Sequence, residues 1–140
     1  MDMNYLIYVS ASSRMLSADD LKKLLEDTRY QYISSGITGM MLYSKGTFFQ
    51  ALEGEEEQLE RVFEDLQSDD IQKCVIKLKS GKEDCRTFHD WSMGFKPASE
   101  EFSHINGFVD PFRWDFLTDH DQKHPAVNLL KTFAQHNLQY

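Results

Sequence analysis

A chain of 140 residues with a formal charge of -8 and a pI near 5.0 opposes a polyanionic backbone, which is held through clustered Lys and Arg, so nucleic-acid binding is not expected. Hydrophobic residues at 41% and charged residues at 27% are ordinary globular proportions, which argue against wholesale disorder. The length suits one domain, too short for a sensor fused to an output enzyme, so any output is expected to leave through a surface. No stretch approaches the roughly 18 apolar residues of a membrane span, and the first residues, MDMNYLIYVSAS, lack the positive flank and cleavage pattern of a signal peptide. A cytoplasmic protein without membrane contact is expected.

Tyr5-Leu6-Ile7-Tyr8-Val9 is a short run of aromatic and branched apolar residues ended by the polar SASSR, which predicts a buried central strand. Ser17 stands three residues before Asp20, a capping-box start, and Leu21, Leu24, Leu25 and Thr28 follow at helical spacing, so an amphipathic helix is predicted up to about Gly36. Residues 37–43 and 47–52, joined by Ser44-Lys45-Gly46, read as an antiparallel hairpin with Phe48, Gln50 and Leu52 on one face. Glu55, Glu56 and Glu57 suit the positive end of a second helix, whose apolar stripe is Leu59, Val62, Phe63 and Leu66. Residues 74–78 and 91–95 supply two more strands, and period two puts Trp91, Met93 and Phe95 on one face.

The order βαββαββ predicts an α+β, ferredoxin-like sheet with both helices on one face, spanning residues 1–97. Residues 98–140 are expected to extend the same domain with helices at 99–105 and 125–135. The intervening aromatic and acidic linker, with Phe112, Trp114 and Phe116, is expected to pack against something.

Two residues are out of place for a simple core. Gln50 lies between the apolar Phe48 and Leu52 on an inward face, where an amide needs a hydrogen-bond partner. Tyr8, in a central strand, buries a large ring yet must satisfy its hydroxyl. Either alone is more often a packed residue than a functional one. His120 and His124, with Asp119 and Asp121, have metal-like spacing but sit in a polar linker, and no metal is expected. Cys74 and Cys85 form no CxxC pair and are expected to be reduced and structural. No phosphate loop, nucleophile elbow or HExxH is present, so catalysis is not expected.

The segments LIYVS, GITGMMLYSKGTFFQALEG and FHDWSM, in this order and spacing over about residues 4–97, resemble the hallmark strands of the BLUF family of flavin-binding blue-light sensors. The resemblance implies a photoreceptor with FAD or FMN held non-covalently between the two helices. Tyr8 would be the electron and proton donor, Gln50 the hydrogen-bond switch, and Trp91 and Met93 the relay toward the C-terminal region. Leu24 and Leu66 would sandwich the flavin ring, with its carbonyl edge near Gln50, Gln31 and Tyr32 at the helix end that bonds the ring in the family, and Arg29 toward its tail. Output would pass to a protein partner or through a homo-oligomer.

The chain departs from the family pattern in the cofactor site. Members usually carry an asparagine at the end of the first helix, where this chain has Tyr30-Gln31-Tyr32, and a basic pair after the second helix, where it has Asp69-Asp70-Ile71-Gln72. Asp65 also stands where a basic residue is frequent, leaving Arg29 and Lys73 as candidate partners for a phosphate tail. Carboxylates beside a phosphate turn attraction into repulsion, so flavin affinity is the property these changes weaken. The alternative expectation is therefore a flavin-free BLUF-like interaction module.

Overall fold

The computed structural model describes residues 3–43, 46–86 and 88, and the backbone alone of 44 and 91–95. The helices expected at 99–105 and 125–135, the aromatic linker and the His120/His124 pair lie outside these residues. The elements are β1 (Met3–Ser12), α1 (Ala18–Ser34), β2 (Thr38–Ser44), β3 (Thr47–Gly54), α2 (Glu56–Leu66), β4 (Gln72–Glu83) and β5 (Trp91–Phe95). They form one five-stranded sheet in the order β4-β1-β3-β2-β5. Every neighbouring pair is antiparallel except β2 and β5, which run parallel. This is the expected βαββαββ ferredoxin-like arrangement.

Period two sorts the central strands. Leu6, Tyr8, Met41, Phe48 and Leu52 face the helices and pack with Leu21, Leu25 and Tyr32 of α1 and Leu59 and Leu66 of α2. Tyr5, Ile7, Met40, Leu42, Phe49 and Ala51 form the core of the opposite face, with Phe88. Burial on both faces explains the unbroken apolar run of β1. Each fully buried Leu, Ile or Phe side chain contributes about 1.5–3 kcal/mol, so these central strands hold most of the stabilising area.

The ends of α1 are set by local chemistry. Ser17 and Asp20 form the expected capping box, with Asp20 N donating to Ser17 Oγ at 3.2 Å and Ser17 N to Asp20 Oδ2 at 3.0 Å. The Arg14 guanidinium, and then the Ser17 N–H, hold the half-exposed Asp20 carboxyl down at about 2. At the other end Gly36, at φ 72°, takes the left-handed turn open to glycine. Its N–H bonds Ile33 O and that of Ile37 bonds Tyr32 O, a Schellman closure that fixes Tyr32 and Ile37 against the core together.

Strand β4 differs from expectation. It is twice as long as the apolar signal suggested, because an edge strand rich in Lys carries no alternating pattern. Its pairing with β1 slips between Ile7 and Tyr8 and again between Val9 and Ala11. Cys74, at φ 53°, marks the second slip, and one extra residue in a strand reverses which side chains face inward. Cys74 and Cys85, expected to be packed inside, are instead free and exposed, Cys74 because it occupies this bulge and Cys85 because it follows the strand end.

Candidate functional site

Tyr8 and Gln50 are directly paired across β1 and β3, and both are fully buried. The same register row continues through Met41 on β2 to Met93 on β5, and on the other side reaches Lys77 on β4. Two residues along each strand, the row runs Leu6, Leu52, Gly39 and Trp91. The hairpin thus sets Gln50 at the middle of a line that crosses all five strands. The side chains of Trp91 and Met93 lie outside the described residues, but their register positions are the ones just given.

Among the described residues, the Tyr8 hydroxyl and Gln50 Oε1 are buried with no hydrogen-bond partner. Tyr32 and Gln50 lie close enough to bias the acidity of Tyr8, yet neither meets its hydroxyl in hydrogen-bond geometry. Burial first, then Tyr32 and the charge of Asp69, push the Tyr8 phenol well above its usual range, while Gln50 opposes them. Burial likewise raises Tyr32, with Asp69 and Asp65 adding to it and Tyr8 opposing. Both phenols therefore keep their protons at any physiological pH. The Phe63 ring meets Tyr8 edge-on, at 6.2 Å and 74°.

Gln50 is not wholly free. Its Nε2 donates to Gln72 Oε1 at 3.3 Å, and Ser10 Oγ donates to the same oxygen at 2.7 Å. Gln72 is buried, although counting by twos from Val75 would put Lys73 inside instead. The Cys74 bulge makes the difference, and no sequence pattern announces a non-glycine left-handed residue. Ser10 had a usable signal, since it follows Leu6 and Tyr8 at period two.

The other predicted contacts are distributed unequally. Leu66 is buried and Leu24 partly buried against the same core. Tyr32 is buried, whereas Gln31, one residue and about 100° around the helix, is exposed and does not join it. Arg29 is half-buried on α1. Lys73 donates to Asp69 O at 2.6 Å. Asp69 Oδ1 accepts from the N–H groups of Ile71, at 2.6 Å, and Gln72, at 3.3 Å, so this carboxylate shapes the turn into β4. Asp65 is exposed on α2. A separate cavity of about 280 Å³ opens between α2 and the β1/β4 edge, walled by Leu6, Leu59 and Phe63, and neither Tyr8 nor Gln50 lines it.

A match to the family described as sensors of blue-light using FAD covers residues 3–94. The chain belongs to the BLUF family. Over 127 residues it is 28% identical to the photoactivated adenylate cyclase subunit alpha of Euglena gracilis, a match that takes in 89% of this chain and 10% of that protein. Klebsiella pneumoniae BlrP1, in a manganese and cyclic-diGMP complex, superposes with a TM-score of 0.73 at 28% identity, covering 95% of this chain and 33% of that one. The photo-activated state of BlsA superposes at 0.63 and 26% identity, over 99% of this chain and 96% of its own. This chain therefore spans a tenth of the Euglena relative and a third of BlrP1. No helix among the described residues is long and apolar enough to cross a membrane.

The BLUF unit is a sensory module, and its family uses a flavin. A buried phenol donor beside an orphaned amide oxygen fits the polar rim of such a ring. The acidic residues Asp65 and Asp69 fit its phosphate tail poorly.

Proposed function

We propose that this chain is a blue-light receptor that binds FAD or FMN non-covalently between α1 and α2, and signals by rearranging hydrogen bonds around Gln50. The observation that carries this reading is the pair of orphaned atoms, the Tyr8 hydroxyl and Gln50 Oε1, on directly paired strands. Leaving such atoms unsatisfied costs about 1–3 kcal/mol each, and a planar heterocycle edged with carbonyl and nitrogen groups satisfies both. Leu24 and Leu66 would flank the ring, with Tyr32 at its edge, Arg29 a half-buried cation on α1 available to its tail and Gln31 an exposed amide of the same helix.

The flavin, when bound, supplies absorption of blue light and an excited-state acceptor for one electron. Tyr8 is the donor. Its phenol is neutral in the dark because burial holds its proton on, so it gives up a proton as well as an electron. The proton departs on the side of Gln50 Oε1. Return of both restores the phenol, with no net oxidation and the Gln50 amide reoriented. Met41 and Met93 continue the row from Gln50, and Trp91 stands two residues from Met93 along β5, which supports β5 as the relay. The Euglena relative is named as a photoactivated cyclase, which supports a sensor that instructs a protein partner or a second copy through contacts. A partner does so by binding the dark and lit arrangements unequally.

Titration of the purified protein with FAD, FMN and riboflavin tests the binding step. Flavin at about 100 times its dissociation constant is expected to stabilise the fold by about 2.7 kcal/mol and to quench flavin fluorescence. No stabilisation and no quenching by any of the three would overturn it. One observation favours a second reading, a flavin-free interaction module: Tyr32 is buried in one core with Tyr8, where the family resemblance leads one to expect the smaller asparagine, and the charges of Asp69 and Asp65 act on its hydroxyl. In that case Tyr32→Asn with Asp65→Arg is expected to create binding that the unaltered chain lacks.

A further inference from the structure

Gln50, Gln72 and Ser10 form a chain of buried hydrogen bonds between β3, β4 and β1. Gln72 Oε1 accepts from both Gln50 Nε2, at 3.3 Å, and Ser10 Oγ, at 2.7 Å. All three residues are at most 3% exposed, so water does not replace a lost partner. A primary amide has one accepting end and one donating end, and the contact works only while the ends are complementary. If Gln50 rotates, its oxygen turns toward the oxygen of Gln72, and two acceptors face each other with no proton between them.

Rotation of the Gln72 amide by a half-turn repairs this. Its Nε2 then donates to the Gln50 oxygen, and its second N–H meets Ser10 Oγ, whose hydroxyl is free to turn and accept. No covalent bond changes. A Gln50 that merely tautomerises keeps an N–H toward Gln72 and asks nothing of it. The repair has a mechanical outlet, because Gln72 is the first residue of β4, its N–H is held by Asp69 Oδ1, and the left-handed Cys74 lies two residues on. This is the edge of the sheet opposite β5.

We propose that Gln72 is a second, coupled switch: rotation of Gln50 forces rotation of Gln72 and carries the light signal to the Asp69 turn and the start of β4. The proposal rests on the flavin-sensor reading above. Gln72 is a positioning residue, since it acts through Gln50.

Two variants, Gln72→Leu and Gln72→Glu, test it in and out of flavin. In the flavin-free protein, the Gln50 side-chain N–H signals followed by NMR are expected to exchange about tenfold faster in Gln72→Leu, the effect of losing one buried hydrogen bond. Unchanged exchange would mean that the pair does not exist. In the FAD-loaded protein in mildly alkaline buffer, Gln72→Glu is expected to bind FAD yet lose most of the red-shifted state, because an ionised carboxylate only accepts and holds Gln50 in its dark orientation. Gln72→Leu is expected to form that state and recover several-fold faster, one rotation being needed instead of two. A Gln72→Glu protein that shifts fully, or a Gln72→Leu protein with unaltered recovery, overturns the relay while leaving the sensor intact. An unaltered chain that binds flavin and never shifts removes the sensor reading and the relay together.

Discussion

Tyr8→Phe is expected to abolish the light-induced red shift completely while leaving the fold and flavin binding in place. The two effects separate because the ring and the hydroxyl do different work. The ring is fully buried and meets Phe63 edge-on, and phenylalanine keeps both features. Among the described residues the hydroxyl has no hydrogen-bond partner, so deleting it removes an unsatisfied buried group and is expected to raise the stability of the apoprotein by up to about 1 kcal/mol. Photochemistry loses its donor, since a phenyl ring offers neither an accessible electron nor a proton. Light and dark spectra of the FAD-loaded variant, with its urea midpoint beside that of the unaltered chain, check both halves. A persisting shift would remove Tyr8 from the donor role, and a collapsed midpoint would mean that the hydroxyl is structural after all.

Gly39→Ala is expected to be the most damaging small substitution in the sheet. A Cβ at this position would lie 2.0 Å from Ala51 O and 3.0 Å from both Ala51 C and Leu52 Cα, on a backbone at φ 154°. All three are backbone atoms of the partner strand, so no side chain can move aside. Gly39 pairs with Leu52, and relief of the clash means parting β2 from β3 in the middle of the core. The expected loss exceeds about 4 kcal/mol, comparable to the whole stability of a marginal domain. Gly36→Ala is the control. Nothing lies within 4 Å of a Cβ there, so only the strain of a left-handed residue remains, about 1 kcal/mol. Circular dichroism with urea titration separates the two, and a Gly39→Ala protein that unfolds cooperatively near the normal midpoint would contradict the steric account.

This contrast explains the two glycines of the GITG segment by different causes, helix closure for Gly36 and strand approach for Gly39. The sequence revealed their presence but could not distinguish those causes, because a close approach belongs to the partner strand. The apolar run of β1, the capping box of α1 and the alternation of β3 were legible, since each is a local preference that the fold obeys. That alternation placed Gln50 inside. Tyr32 was also legible in principle, lying seven and eleven residues after Leu25 and Leu21 on one helical face, whereas Gln31 falls off that face. Gln72 was not legible. Its inward position depends on the left-handed Cys74, which period-two counting treats as an ordinary strand residue. Asp69 was legible as a charge but not as a turn-former, and its role in capping Ile71 and Gln72 gives this acidic stretch a structural purpose beside any effect on a phosphate.

The most direct measurement is the visible spectrum of protein reconstituted with FAD in the dark, recorded before and after blue light and then followed in darkness. A bound-flavin band is expected to move to the red on illumination, keep its oxidised shape and return in the dark. A flavin that binds specifically, stays oxidised and never shifts would contradict the sensor reading.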